Sequence, residues 1–115
     1  MSAKEVGEGL VALCKQGLFD QAAETFYDEN ILSVEADGAE RETRGMDAIR
    51  RKTEWWNSTF EVVGAQVDGP WVNEPFFIVK FVIDVKEKAT GKDIHMEELA
   101  VYEVSNGKIV SERFF

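Results

Sequence analysis

Residues Lys92 to Phe115, KDIHMEELAVYEVSNGKIVSERFF, alternate apolar and charged side chains, turn at Ser105-Asn106-Gly107, and alternate again to the last residue. Period-two alternation on both sides of a glycine-containing turn predicts a β-hairpin with one face against a core. On that hairpin Met96, Glu98, Ala100, Tyr102 and Val104 share a face, and Glu98 is the one charge among them. Glu97 and Glu103 fall on the opposite face. Glu112 depends on the turn, because a slip of one residue moves every side chain of a strand to the other face. A two-residue Asn106-Gly107 turn pairs Val104 with Ile109 and sets Glu112 opposite Val101, away from Glu98. A three-residue loop with Gly107 in a G1 bulge pairs Val104 with Lys108 and Ala100 with Glu112, on the side of Glu98.

Upstream of the hairpin, Phe76 to Lys86 (FFIVKFVIDVK) is the most hydrophobic stretch, with Phe77, Val79, Phe81, Ile83 and Val85 on one face. It predicts a long strand. Phe60 to Val67 predicts another, followed by a turn at Asp68-Gly69-Pro70 and an irregular or edge segment from Trp71 to Pro75. Gly45 to Asn57 carries Ile49, Thr53 and Trp56 on one helical stripe, while Trp55 points about 100° away from Trp56. Ala39 to Arg44 is charged and without period, which predicts a solvated loop. Ile31 to Ala36 predicts a short strand with Ile31, Ser33 and Glu35 on one face. Two helices precede it. Ala3 to Gln16 carries Val6, Leu10, Leu13 and Cys14 at helical spacing, with Ser2 as N-cap and Gly17 as stop; the second places Phe19, Ala22, Ala23, Phe26 and Tyr27 on one side before Asp28-Glu29-Asn30.

Helices followed by a run of strands predict an α+β domain spanning residues 1–115: three N-terminal helices packed in the concave face of a curved antiparallel sheet. A sheet that curls around so few helices leaves room for a pocket. With 13 basic and 22 acidic residues the net charge is −9, and the pI is near 4.6. Such a surface repels phosphate backbones and anionic lipid, so neither nucleic acid nor membrane is an expected partner. The lone cysteine, Cys14, fits a reducing cytoplasm. Ile78, Val82, Leu99, Val101, Ile109 and Phe115 fall on the outer face of the sheet, and that much apolar surface predicts a homodimer through it.

Taken together, FYDEN closing the second helix, the strand ending near Asp37-Gly38, RGMDAI opening the third helix and the closing NGKIVSERFF resemble the nuclear transport factor 2-like superfamily. Within it the chain looks most like the bacterial SnoaL-like proteins, with Lys52 before Trp55-Trp56 and MEELAVYEV as further points of likeness. The resemblance implies the cone-shaped α+β fold and a small-molecule pocket. The superfamily includes isomerases, cyclases, dehydratases, hydrolases and binding domains, so the fold does not choose among them. Ketosteroid isomerases of the superfamily use a tyrosine on the first helix, an aspartate on the short strand and a protonated aspartic acid on the penultimate strand. Leu10, Val34 or Glu35, and Ala100 stand there in this chain, and the set is not matched. Arg50, Arg113 and Asp84 supply the residue types of an epoxide hydrolase, without its spacing.

Glu98 is the leading catalytic candidate, because desolvation among apolar neighbours raises a carboxyl's pKa toward that of a proton shuttle. Glu112 joins it if the turn allows, in which case two close carboxyls could share a proton; the competing reading is an ion pair with Lys52 or Arg50. Trp55, Trp56, Tyr102, Phe81, Met96 and Lys52 are the candidate ligand contacts, against the alternative that the aromatic residues are ordinary core. His95 has the opposite parity to Glu98 and is expected to face out. No Cys/His cluster or glycine-rich phosphate loop is evident, so no metal or cofactor is expected.

Overall fold

The computed structural model describes residues 1–38 and 41–115. Three helices and six strands follow in the order α1 (Ala3–Lys15), α2 (Phe19–Phe26), β1 (Tyr27–Val34), β2 (Glu42–Arg44), α3 (Met46–Thr59), β3 (Phe60–Asn73), β4 (Phe76–Glu87), β5 (Asp93–Ser105) and β6 (Lys108–Phe114). The sheet order is β2-β1-β6-β5-β4-β3. It is a mixed sheet and not the antiparallel one expected, because β1 runs parallel to β6. No helix of the described residues is long and apolar enough to cross a membrane.

Ser2 caps α1 as expected: its side chain accepts from the Glu5 N–H while the Glu5 carboxylate accepts from the Ser2 N–H. A second cap comes from far along the chain. The Glu74 carboxylate, in the turn between β3 and β4, accepts from the Ala3 and Lys4 N–H groups at 2.8 and 3.1 Å. A negative charge at a helix N-terminus satisfies free N–H groups and meets the helix dipole favourably. Glu74 therefore ties the start of α1 to the sheet edge, and Val6, Leu10 and Phe77 complete the join as fully buried core.

Four local expectations change. Asp68-Gly69-Pro70 does not turn the chain. Asp68 pairs with Lys80 and Trp71 with Ile78, so Gly69 and Pro70 form a bulge within one continuous edge strand. The chain reverses instead at Glu74-Pro75. The second helix stops at Phe26, and Tyr27 opens β1 with extended dihedrals (φ −79°, ψ 138°), four residues before the strand start expected at Ile31. Glu42–Arg44, expected as loop, pairs with Leu32–Val34 of β1; of the rest of that predicted loop, Arg41 accepts at its carbonyl from the Glu35 N–H, and Ala39 and Glu40 lie outside the described residues. Finally, Ile109 is fully buried in the core and not on the outer face.

The hairpin explains that last change. Asn106 and Gly107 both have positive φ, 53° and 75°, the signature of a two-residue type I′ turn, and Val104 pairs with Ile109. Of the two alternatives for this turn, the two-residue form is the one present, and the G1 bulge at Gly107 is absent. The register then shifts by one, so that Glu103 pairs with Ser111, Tyr102 with Glu112 and Ala100 with Phe114. Val110 is the extra residue, and it lets Ile109 and Glu112, of opposite parity, both face inward.

Helix α1 approaches its neighbours closely at two glycines. A Cβ on Gly9 would stand 2.5 Å from the Phe26 ring, and one on Gly7 would stand 3.0 Å from Phe77 and from Pro70. In an open helix, Gly to Ala stabilises by roughly 0.5–1 kcal/mol. Here Gly9→Ala is expected to reverse that sign, because the buried Phe26 ring has nowhere to go, and to cost about 1–3 kcal/mol in urea unfolding.

Candidate functional site

Inward-facing residues of β1, β4, β5 and β6, together with α2 and α3, enclose a cavity of about 270 Å³. Its walls are mostly apolar, with Phe19 and Ala23 from α2, Ile49, Thr53, Trp55 and Trp56 from α3, and Phe81, Ile83, Met96 and Phe114 from the sheet. A smaller extension of about 170 Å³ shares several of these walls and reaches Leu10, Cys14 and Tyr102. Of the eight residues expected at the site, Glu98, Glu112, Lys52, Trp55, Trp56, Phe81 and Met96 line the main cavity, and Tyr102 lines the extension. Trp55 and Trp56 both pack on Phe60, yet Trp55 stays 58% exposed, at the cavity mouth. Tyr102 is buried and stacks on Phe77 with ring centroids 4.7 Å apart.

Glu112 is 4% exposed and held at both oxygens. Tyr27 donates its phenolic hydrogen to one carboxyl oxygen, and Ser33 donates to the other at 2.7 Å. Both donors come from β1, which the parallel pairing brings alongside β6; Ser33 sits directly opposite Glu112 in that ladder. Burial pushes the Glu112 carboxyl above the usual carboxylate range, against the lowering effect of its hydrogen bonds with Tyr27 and Ser33. Tyr27 and Tyr102 are pushed well above the usual phenol range, first by burial and then by the Glu112 charge. The Cys14 thiol, beside them, rises to about 12, mainly through burial.

Glu98 is held differently. It is half-buried, no side chain of the described residues hydrogen-bonds its carboxylate, and its pKa is raised by burial first and by Glu35 second, with Lys52 opposing. Lys52 forms an ion pair with Glu35 at the end of β1. The competing reading, an ion pair of Lys52 or Arg50 with Glu98 or Glu112, is absent among the described residues: Arg50 faces outward onto Glu24 and Asp47 at 2.8 and 3.0 Å. Of the two residues aligned with the isomerase base, Glu35 lines the cavity. His95 faces out as expected, between Asp84 at 2.6 Å and Glu97 at 3.1 Å.

Tyr27, Ser33 and Glu35 were not singled out in the sequence as site residues. Strand parity carried a partial signal, since Ile31, Ser33 and Glu35 share a face, but nothing in the local pattern moves Tyr27 from a helix to a strand.

Across residues 1–115 the sequence matches the SnoaL-like domain family. The chain belongs to the SnoaL-like family. A solved structure from Mesorhizobium loti, described as a candidate SnoaL-like polyketide cyclase with the bracketed name carbohydrate phosphatase, is 40% identical, with a TM-score of 0.94 over 100% of this chain and 99% of that one. A candidate isomerase from Bacillus subtilis is 18% identical, with a TM-score of 0.79 over 99% of this chain and 88% of the other. AclR, a candidate hydroxylase from Streptomyces galilaeus, is 12% identical, with a TM-score of 0.72 over 98% and 77%. The last two share the fold alone. No curated protein sequence matches the chain.

The raised pKa values fix a sign for this SnoaL-like protein. A carboxyl whose folded pKa lies above its unfolded one gives its full contribution to stability below the unfolded value, 4.5 here, and loses it as pH rises through the folded value. Glu98→Gln removes one such group. Its unfolding free energy is expected to exceed that of the wild type at pH 7, by less than about 1 kcal/mol because Glu98 is only half-buried. The excess is expected to disappear below pH 4.5, as read from urea melts across the range.

Proposed function

We propose that this protein binds a small, mostly apolar ring compound in the cavity between α2, α3 and the sheet, and exchanges a proton with it through Glu98. The observation that carries this reading is a carboxyl with no side-chain partner among the described residues, raised in pKa by burial, on the wall of an otherwise largely apolar cavity. A carboxyl raised in this way moves toward the range in which a side chain serves as general acid or base. Glu112 serves as a fixed second carboxyl, whose two hydrogen bonds hold it still beside the ligand. Cyclase, isomerase and hydroxylase names among the structural neighbours agree with small-molecule chemistry in this fold. The same reading seats the three helices in the concave side of the sheet and the protein in the cytoplasm, where a single buried thiol stays reduced.

The test is turnover. A panel of small aromatic and alicyclic carbonyl compounds, followed by mass spectrometry, is expected to yield a product with wild-type protein. Glu98→Gln is expected to lower that rate at least about 100-fold while leaving the circular dichroism spectrum unchanged. Full activity in the variant removes Glu98 from the chemistry. Thermal shifts without any product reduce the protein to a binding module.

A homodimer through the outer sheet face belongs to the same proposal. Trp71, Leu99 and Phe115 are 55%, 43% and 64% exposed, and Ile78 and Val101 pair between them across β4 and β5. Sedimentation at micromolar concentration is expected to give a dimer, and Leu99→Lys to give monomers; a wild-type monomer overturns this part.

A further inference from the structure

The charge inside the cavity is lopsided. Four carboxyl side chains line it, Asp20, Glu35, Glu98 and Glu112, against one cation, Lys52. Three of the four are occupied. Lys52 pairs with Glu35, Tyr27 and Ser33 hold Glu112, and the Asn57 amide donates to Asp20 at 3.0 Å. Among the described residues, Glu98 alone of the four has no side-chain donor, and no arginine or histidine lines the cavity to supply one. Six aromatic side chains line the same cavity: Phe19 and Tyr27, Trp55 and Trp56, Phe81 and Phe114.

A carboxylate without a cation, inside walls of aromatic rings, is the complement of an organic ammonium group. The ring faces attract positive charge through their quadrupoles, and a desolvated setting strengthens that attraction. An anionic ligand meets the reverse, because it brings further negative charge beside three glutamates. Size narrows the class as well: about 270 Å³ lies just below the range of roughly 300–1,000 Å³ that drug-sized ligands occupy. We infer that the cavity is built for a small ring compound carrying an amine, one or two rings in size, with its ammonium group against Glu98 and its ring among the aromatic walls. This rests on the reading of the cavity as the ligand site and does not depend on which reaction follows.

Three probes of one shape separate the charge from the cavity. Isothermal titration of the wild-type protein with benzylamine, benzyl alcohol and benzoate, at about 0.15 M salt to screen the general surface charge, compares cation, neutral and anion. Benzylamine is expected to bind at least about tenfold more tightly than benzyl alcohol, and benzoate least. Glu98→Gln is expected to abolish the advantage of the amine over the alcohol. Methylammonium, which has the charge without the ring, is expected to give no measurable heat. Equal or tighter binding of the alcohol or of benzoate overturns the inference and leaves the cavity as a ligand site. Absence of binding by all three overturns both. The wild-type series decides the matter even if the variant fails to fold.

Discussion

One extra residue in β6 governs the inner face of this protein. A regular strand repeats every two residues, so Ile109 and Glu112 cannot both point into the core unless the chain gains a residue between them. Val110 supplies it. Both neighbours of β6 adapt: β5 shifts register between Glu103 and Val104, and β1 shifts between Tyr27 and Leu32. Without the bulge, either Ile109 would leave the core or Glu112 would face solvent and lose Ser33 and Tyr27. The bulge is thus the local reason that a full aliphatic core and a buried carboxyl coexist on seven residues of strand.

The parallel pairing of β1 with β6 carries the next step. Parallel partners need a long connection, and here the chain from β2 through β5 provides it. The pairing brings the two donors of β1 against Glu112 from one side, while Tyr102 of β5 stands opposite on the other. Burying a carboxyl costs free energy unless hydrogen bonds offset it. Tyr27 and Ser33 offset part of that cost, and the direction of the Glu112 shift shows that burial still prevails. Glu112 is therefore fixed by its two hydrogen bonds, while burial still sets the direction of its shift.

How much of this the chain discloses in one dimension depends on the range of the interactions. The inner faces of β4 and β5, the place of Glu98 and the Ser2 cap follow from periods and spacings within a single element, and each reads correctly. The type I′ turn was one of two open alternatives, and Asn106-Gly107 is its usual signature. What misleads is the assumption that the strand after the turn stays regular; the Val110 bulge is set by two different partner strands, and no residue within it announces the shift. Gly69-Pro70 misleads in the opposite sense. The pair reads as a turn, yet it sits in an edge strand, where a residue without an N–H loses little. Tyr27 falls on a helix-to-strand junction, where the helical spacing of Phe19, Ala23 and Phe26 carries on past the true end. Its contact with Glu112 spans 85 residues, far beyond any local pattern.

Glu98 and Glu112 began as a possible pair and part company in the structure. Both rise in pKa, but the charges acting on Glu98 come from Glu35 and Lys52 and not from Glu112. Their difference lies in hydrogen bonding. Glu112 is satisfied by its own fold and needs nothing from outside, whereas Glu98 is partly desolvated with no side-chain partner among the described residues. A half-buried group in that condition loses its penalty in two ways: by taking up a proton, or by meeting a molecule that donates to it. Lys52 does neither for it, because the Glu35 side chain, at the end of the strand that also carries Ser33, already holds the lysine. Glu35 thus acts on Glu98 in two ways, by occupying the lysine that lines the cavity and by raising the proton affinity of the carboxyl.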